Sequence, residues 1–239
     1  MYKVISVIRI CELNIQINNR YDFVHQMCKD YLIDDCCNVD FVINVNDDEI
    51  EKERIDSGID NIGLLEATCA LRQIGYQVLN YDAILIHSSV LSLNNQAYAF
   101  LAPSGTGKST HTRLWLEYFK NQDIKVINGD KPIYRYLDGV FCACGHPWSG
   151  KEGYNNNCIV PVKAFCFLKQ GKENKVRKIK NDEVVNMIFK QILMPNNEKQ
   201  LDQIFLILNR IIKDVSFYEL ECNISLDAVK VCYEMMKGS

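Results

Sequence analysis

The 239-residue sequence predicts an α/β fold, and three stretches of it support that assignment. Residues 11–18 alternate between apolar and polar side chains, which is the period of a half-buried strand. Residues 62–79 place apolar side chains at helical spacing. Residues 97–119 pass from an apolar strand through a glycine-containing loop into a helical stretch. Because strand and helix patterns follow one another along one chain, an α/β layer architecture is favoured.

Strands, a loop and a helix are predicted in the first third of the chain. Met1 to Ile10 is more continuously apolar than the alternating residues after it and predicts a more buried strand. The polar, acidic stretch from Asn46 to Asp56 predicts a loop. Apolar side chains that recur every three or four residues predict one amphipathic helix over 62–79. Ala83 to Ile86 predicts a short strand that follows this helix.

A hairpin and then several strands and helices are predicted further along. Val90–Leu93 and Ala97–Leu101 flank Asn94-Asn95, a pair that tolerates the positive φ of a tight turn. Ser225 is a suitable N-cap for a last helix that ends near Met236. The other predicted strands cover 124–127, 133–136, 140–144, 162–168 and 215–220, and the other predicted helices cover 109–119, 182–193 and 198–212.

Charge and hydropathy exclude several classes of partner. The formal net charge is −3, whereas a dedicated nucleic-acid binder is usually basic, so no nucleic-acid partner is expected. No apolar run approaches the roughly 20 residues that cross a bilayer, so no membrane partner is expected. Lys3, Arg9 and Glu12 interrupt the apolar residues at the N-terminus before a signal-peptide core forms. We therefore expect a cytoplasmic protein.

The eleven cysteines predict reduced thiols. Their number is odd, there is no CxxC pair, and the chain is long enough to fold without disulfides. Cys142, Cys144 and His146 are spaced by two and could share one strand face. A structural zinc site needs four ligands as a rule, and no second cluster follows, so a core role is the favoured interpretation.

The strongest motif is Ala102-Pro-Ser-Gly-Thr-Gly-Lys-Ser109, which fits the Walker A pattern with Ala in place of the first Gly. Gly105 and Gly107 permit backbone angles that turn successive N–H groups toward one anion. The helix that follows directs its free N–H groups and its positive dipole end to the same place. Lys108 can reach the β- and γ-phosphates, and the Ser109 hydroxyl can bind Mg²⁺. The predicted nucleotide-binding residues are Ser104, Gly105, Thr106, Gly107, Lys108, Ser109 and Thr110.

An acid follows this loop at short range. Asp130 ends the strand that begins at Ile124 and lies 22 residues after Lys108, which leaves room for one helix, one turn and one strand. Asp130 is therefore predicted to lie beside the loop, where a carboxylate can hold Mg²⁺ and act as a base. The alternative is an ordinary turn aspartate, because Asn128-Gly129-Asp130 is also turn chemistry. The short spacing, and the lack of LSGGQ or NKxD segments, exclude ABC-type ATPases and G proteins.

Four segments in this order resemble the HPr serine kinase and phosphoenolpyruvate carboxykinase group, and in particular its small HPr-kinase-like bacterial proteins. The segments are Ile86–Ser89, Ser104–His111, Gly129–Pro132 and Gly145–Lys151. The resemblance covers about residues 66–168 well and the C-terminal helices loosely. It implies a P-loop kinase core with a mixed, twisted sheet. We expect an N-terminal β-rich addition over 1–60, and a P-loop domain with C-terminal helices over 61–239, in one compact unit.

The resemblance also implies roles for individual residues. His87 matches a histidine that lies near the reacting phosphate in HPr kinases. Their acid-ended strand carries two adjacent aspartates, whereas Gly129 stands here at the first position and only Asp130 remains. Lys151 and Trp148 lie in a Pro- and Gly-containing loop. Lys151 could neutralise phosphate charge and Trp148 could stack on the base or cover the site, or both could belong to a packed turn with a solvated lysine.

The expected function is ATP-dependent phosphoryl transfer to a hydroxyl, with serine of a protein or peptide as the acceptor. The predicted catalytic residues are Asp130, His87 and Lys151, and the predicted Mg²⁺ ligands are Ser109 and Asp130. HPr kinases assemble, so the resemblance is compatible with a homo-oligomer. Two alternatives stay open: a nucleotide-binding regulatory module without transfer, which Gly129 favours, and a kinase for a small molecule such as free serine.

Overall fold

A computed structural model describes residues 4–34, 38–195 and 197–238, and these fold into an α/β structure with two sheets. The smaller sheet has three strands near the N-terminus, and the larger sheet has nine. The mixed strand directions of the larger sheet confirm the predicted α/β class. In the described residues no helix is both long and apolar enough to cross a membrane.

The small sheet forms from the first predicted strands. β1 (Val4–Ile10) and β2 (Leu13–Asn19) pair antiparallel, and β3 (Phe41–Asn44) adds in parallel to β2. The prediction placed Cys11 within a strand, which is wrong. Cys11 and Glu12 have φ of 53° and 59°, so they form the tight turn that joins the two strands. Residues 1–3 of the predicted first strand lie outside the described residues.

Helices connect the small sheet to the rest of the molecule. The predicted loop from Asn46 to Asp56 is wrong, because Asp47–Ser57 is helical. The Asn46 side chain accepts from the Glu49 N–H, the Glu49 carboxylate accepts from the Asn46 N–H, and Gly58 ends the helix with φ of 68°. These caps stabilise a helix whose side chains are mostly exposed. The helices of this region are α1 (Asp22–Met27), α2 (Asp47–Ser57) and α3 (Ile62–Gln77), and a 3₁₀ turn (Val78–Tyr81) follows α3.

The large sheet curls around one long strand. β10 (Ile159–Gln170) pairs antiparallel with β9 through Ile159–Pro161. It then pairs parallel with β6 from Val162, with a register shift between Val162 and Ala164, and parallel with β12 from Ala164. The spatial order is β4-β8-β9-β10-β6-β5-β7, with β12 beside β10 and β11 beside β12. The strands are β4 (Ala83–Leu85), β5 (Ser89–Leu93), β6 (Gln96–Leu101), β7 (Ile124–Asn128), β8 (Ile133–Leu137), β9 (Val140–Cys144), β10, β11 (Lys175–Lys178) and β12 (Ser216–Cys222).

The strand directions place the predicted site residues at one edge of the sheet. β5 and β6 form the predicted hairpin, and Asn94 and Asn95 have φ of 50° and 59° in its turn. β5 is antiparallel to both β6 and β7, so these two strands run in the same direction. The glycine-containing loop after β6 and Asp130 after β7 therefore leave the sheet at the same edge. β10 and β12 are parallel to β6 and end at that edge too.

Helices cover both faces of this sheet. α4 (Lys108–Tyr118) and α7 (Leu226–Met236) pack on one face around Trp115 and Phe100. α5 (Asn181–Ile188) and α6 (Glu198–Asp214) pack on the other face around Phe165 and Phe217. A third core joins the small sheet and α3 to Leu85, Ile133 and Trp148. Helices are present at all four predicted positions, but the helix predicted over 182–193 ends at Ile188 and a 3₁₀ turn (Phe189–Gln191) follows it. Ser225 caps α7 by accepting from the Ala228 N–H.

Candidate active site

The glycine loop lies between the end of β6 and the start of α4. Gly105 and Gly107 have φ of 80° and 117°, which side chains rarely adopt. A Cβ at either glycine would meet nothing within 4 Å, so the space over the loop is open. The first N–H groups of α4 lack helical partners and carry its positive dipole end. This geometry suits a bound phosphate.

Lys108 is held at the base of the loop. Its side chain is buried, and Nζ donates to the Ala102 carbonyl oxygen at 2.7 Å. Burial lowers the pKa of Lys108, the charge of Asp130 opposes that effect, and the charge of Lys131 adds to it. Thr112 fixes α4 to β5, since its Oγ1 lies 2.8 Å from Ser89 Oγ. The lysine is thus positioned by both the loop and the helix.

Asn128 fixes the turn that carries Asp130. This side chain is fully buried, and its Oδ1 accepts from the N–H groups of Asp130 and Lys131 at 2.9 and 3.0 Å. Its Nδ2 donates to the carbonyl oxygens of His146 and Trp148, both at 3.1 Å. One amide therefore joins the end of β7 to the segment after β9. Asn128-Gly129-Asp130 forms the turn that the sequence predicts, and the turn places Asp130 in a cleft that is described below.

The side chains of His87 and Lys131 face the Asp130 carboxylate. His87 Nε2 lies 3.4 Å from Oδ1, and Lys131 Nζ lies 3.6 Å from Oδ2. Burial alone would raise the pKa of Asp130, but the hydrogen bond from His87 and the charges of Lys131, His87 and Lys108 together lower the pKa below its ordinary value of 3.8. Asp130 is consequently a carboxylate throughout the neutral pH range.

The segment from Gly145 to Lys151 packs against the Asn128–Lys131 turn and supports it. A Cβ at Gly145 would overlap the backbone of Asn156, so only glycine fits there. His146 Nε2 donates to the Lys131 carbonyl oxygen at 2.6 Å, and burial lowers the pKa of His146 to about 4. The imidazole is therefore neutral and acts as a support for the residue after Asp130.

Trp148 belongs to the packed turn and does not cover the site. Its ring is buried, and Nε1 donates to the Ala67 carbonyl oxygen of α3 at 2.8 Å. The proposed stacking of Trp148 on a base is therefore wrong, because the ring packs in the core that α3 shares with the small sheet. The sequence pattern could not separate the two possibilities, since a Pro- and Gly-containing loop suits both.

Gly150 brings the loop after Trp148 against Asp130. It has φ of 73°, and a Cβ there would lie 2.9 Å from the Asp130 Cβ. Lys151 and Glu152 follow and are exposed. The loop thus packs against the Asp130 side chain and leaves its own charged residues exposed.

A cleft of about 510 Å³ brings most of the predicted site residues together. The predicted residues that line it are His87, Ser104, Gly105, Gly107, Lys108, Ser109, Thr110, Asp130 and Lys151. Thr106 lines two neighbouring cavities instead. Arg113 and Glu152 also line the cleft, and the prediction missed both. Arg113 follows Ser109 by four residues on α4, so helical spacing could have placed it on the same face.

Comparison with known proteins gives little guidance. No family model matches the sequence, and no curated protein sequence matches it. Among solved structures, the HPr(Ser) kinase/phosphatase from Coxiella burnetii is similar at 12% identity over 54% of this chain and 91% of that chain, with a TM-score of 0.29. A TM-score of this size does not establish a shared fold.

Proposed function

We propose that this protein transfers the γ-phosphoryl group of ATP to an acceptor hydroxyl. One observation carries the proposal: His87, Asp130 and the phosphate loop, which are separate in sequence, line a single cleft. A nucleotide-binding loop alone would require only the glycines and Lys108. A carboxylate with a histidine and a lysine beside the loop is a set of groups that phosphoryl transfer uses.

The loop supplies the binding of the phosphates. Backbone N–H groups around Gly105 and Gly107 and at the start of α4 donate to phosphate oxygens. Lys108 leaves the Ala102 carbonyl oxygen, or shares its protons with it, to donate to the β- and γ-phosphates. Arg113 adds a further positive charge to the same cleft.

The residues present fit a Mg²⁺ ion. The Ser109 hydroxyl and the Asp130 carboxylate line the same cleft, and both offer the oxygen ligands that Mg²⁺ prefers. These two residues would hold the ion directly or through water. When bound, Mg²⁺ supplies neutralisation of the phosphate charge.

Asp130 is also the proposed base toward the acceptor hydroxyl. It accepts the hydroxyl proton as the oxygen attacks the γ-phosphorus and the bond to the β-γ bridging oxygen breaks. His87 and Lys151 stabilise the charge of the transferred group. His87 contacts Asp130 directly, so it also orients the carboxylate.

Gly129 leaves the turn with a single acid, and the structure gives a steric reason for a small residue there. The Gly129 N–H donates to the Tyr154 carbonyl oxygen at 2.9 Å, and a Cβ would lie 3.2 Å from the Ser149 carbonyl oxygen. The loop that packs against Gly129 carries Glu152, the other carboxylate among the described residues of the cleft. We propose that Asp130 combines both roles or shares them with Glu152.

The proposed acceptor is a serine hydroxyl of a protein or peptide. The test is transfer of radiolabel from γ-labelled ATP to a cell lysate, separated into macromolecules and small molecules, with Lys108→Ala as the control. Label in the macromolecules, lost with Lys108→Ala, is the expected result. Label confined to small molecules would instead identify a small-molecule kinase. Tight ATP binding with no transfer to any fraction would favour the regulatory module.

A further inference from the structure

Two buried cysteines meet between β10 and α7. Cys166 lies on β10 and Cys232 lies on α7, and both side chains are fully buried free thiols. The two Sγ atoms lie 3.7 Å apart, and Cys232 Sγ lies 3.3 Å from Met236 Sδ. A disulfide holds its sulfurs about 2 Å apart, so a small approach of the two side chains suffices to join them.

His111 is the polar neighbour of this pair. It lies in the first turn of α4, three residues after Lys108, and its Nε2 accepts from Trp115 Nε1 at 2.9 Å. A neutral imidazole whose Nε2 accepts carries its proton on Nδ1 and can donate from there. Burial alone would raise the pKa of Cys232, but hydrogen bonds with Cys166 and His111 lower the pKa below its ordinary value of 9.0. Cys232 is therefore the better nucleophile of the two, because burial raises the pKa of Cys166.

A cavity beside the glycine loop leads toward the pair. It has a volume of about 520 Å³, and Gly107, Thr110 and His111 are among the residues that line it. Because His111 is also hydrogen-bonded with Cys232, the cavity comes within one side chain of the sulfur. Hydrogen peroxide is little larger than a water molecule, which occupies about 30 Å³ in the liquid. The cavity is thus suited to admit hydrogen peroxide, whereas a bulky oxidant such as a glutathione disulfide is too large to reach the buried sulfurs.

We propose that Cys166 and Cys232 form a modification site, which hydrogen peroxide converts to a disulfide, and that this disulfide weakens ATP binding at the glycine loop. The first part stands on the thiol pair and its access. The second part rests on the proposed function, since it assumes that the loop binds ATP.

The oxidation takes two steps. The Cys232 thiolate attacks one oxygen of the peroxide, the O–O bond breaks, and the hydroxide that leaves takes up the proton that the thiol released. Cys166 then attacks the sulfur of the Cys232 sulfenic acid, the S–O bond breaks, and water leaves with the Cys166 proton. Two thiols and one peroxide give one disulfide and two water molecules.

The disulfide acts on the loop through α7 and α4. Joining the sulfurs draws α7 toward β10. The Tyr233 ring on α7 packs against Trp115 and Phe119 on α4, with ring centroids 5.9 and 4.9 Å apart. α4 begins at Lys108, and its first N–H groups serve the phosphates. A shift of α4 with α7 therefore weakens phosphate binding.

The first measurement is a peptide map of the full-length wild-type protein, fully reduced and then treated with hydrogen peroxide. Remaining thiols are alkylated under denaturing conditions, and the digest is analysed by mass spectrometry without reduction. We expect a peptide pair joined through Cys166 and Cys232 that dithiothreitol separates. Absence of this pair would overturn the modification site.

Cys11 and Cys144 are the internal control in the same digest. They are also buried and hydrogen-bonded to each other, but burial and Cys144 raise the pKa of Cys11. They should stay reduced under peroxide that joins Cys166 to Cys232. If Cys11 and Cys144 were joined as readily, the site would have no selectivity and the proposal would be overturned.

The second measurement is ATP affinity, by calorimetry with Mg²⁺, before and after oxidation. The oxidised wild type should bind ATP at least about fivefold more weakly and recover in dithiothreitol. Cys166→Ala cannot form the disulfide, so peroxide should leave its ATP affinity unchanged. An equal loss in Cys166→Ala, or no loss in the joined wild type, would overturn the effect on the loop. If the reduced wild type binds no ATP, the proposed function fails and the effect on the loop fails with it, while the peptide map still decides whether the thiols are joined.

Discussion

Asp130 is held in position by hydrogen bonds and packing from neighbouring residues. Asn128 supports the turn through four hydrogen bonds, His146 holds the carbonyl of Lys131, and Gly150 packs against the carboxylate itself. Each of these residues has a different physical role. Asn128 supplies a buried amide whose hydrogen bonds are satisfied, His146 supplies a neutral imidazole donor, and Gly150 supplies a backbone with positive φ. At the scale of single residues, the position of Asp130 in the cleft therefore depends on the Asn128–Lys131 turn and on the Gly145–Lys151 segment that contacts it.

Gly150 provides a test of that support. Gly150→Ala places a methyl group 2.9 Å from the Asp130 Cβ, so we expect the carboxylate to move and Mg²⁺-dependent ATP turnover to fall at least tenfold. Gly153→Ala is the matched control, since Gly153 has a similar φ of 70° and a Cβ there would meet nothing within 4 Å. Both variants should lose about 1 kcal/mol of stability from backbone strain. Equal turnover in the two variants would contradict the role given to Gly150.

His146 predicts a specific loss of stability in acid. Its pKa is about 4 in the folded protein and ordinarily 6.5, so the unfolded chain takes up the proton first as the pH falls. The contribution is complete above pH 6.5 and declines by up to about 3 kcal/mol between pH 6.5 and 4. His146→Gln keeps a donor for the Lys131 carbonyl and cannot titrate. Urea unfolding across this range should show a steeper decline for the wild type, and parallel curves would refute the assignment.

At the scale of elements, caps decide structure where hydrophobic periodicity is weak. α2 buries only Ile50 among its side chains, so its sequence has no amphipathic stripe and its acidic composition predicts a loop. The Asn46-to-Glu49 capping box and Gly58 are sequence signals for the start and the end of a helix, and together they indicate α2. By contrast, α3 and the β5–β6 hairpin were predicted well, because a wide apolar stripe and a positive-φ turn pair are both local signals.

The capping box of α2 makes a modest and local prediction. Asn46→Ala removes the acceptor for the Glu49 N–H, and we expect a loss of about 1 kcal/mol in the free energy of unfolding. Asn46→Asp keeps an acceptor at the same position and should retain most of that stability. Neither variant should change ATP affinity, because α2 does not line the cleft. If Asn46→Ala and Asn46→Asp were equally unstable, the cap would not be the cause.

At the scale of the whole molecule, the small sheet and the large sheet share a core. Ile8, Ile15 and Ile17 of the small sheet pack in one cluster with Ile133 and Trp148, and Tyr31 donates to Asn155 Oδ1 at 2.9 Å. The spacing of Asp130 from the loop predicted their approach, since both follow strands that end at one edge. The contacts of Trp148 and His146 could not be predicted, because they depend on how α3 and β7 pack in three dimensions.

This shared core predicts that the chain unfolds as one unit. The two tryptophans report on different regions, Trp148 on the core shared with the small sheet and Trp115 on the core beneath α4. Fluorescence of Trp115→Phe and Trp148→Phe during urea unfolding follows each region separately. For each variant, the midpoint of the fluorescence transition is expected to coincide with the midpoint of the circular-dichroism transition of the same variant. A transition at Trp148 that precedes the loss of helix would show that the N-terminal part unfolds independently.

We propose that Asp130 allows this cleft to transfer a phosphoryl group as well as to bind ATP, and ATP turnover with Mg²⁺ tests this proposal most directly. Water serves as the acceptor, so no partner is needed. Asp130→Asn should bind ATP within a few fold of the wild type and turn it over at least about 100-fold more slowly, because it loses both a metal ligand and a base. Equal, negligible turnover by the wild type and Asp130→Asn, with tight ATP binding in both, would contradict the claim and leave a binding module.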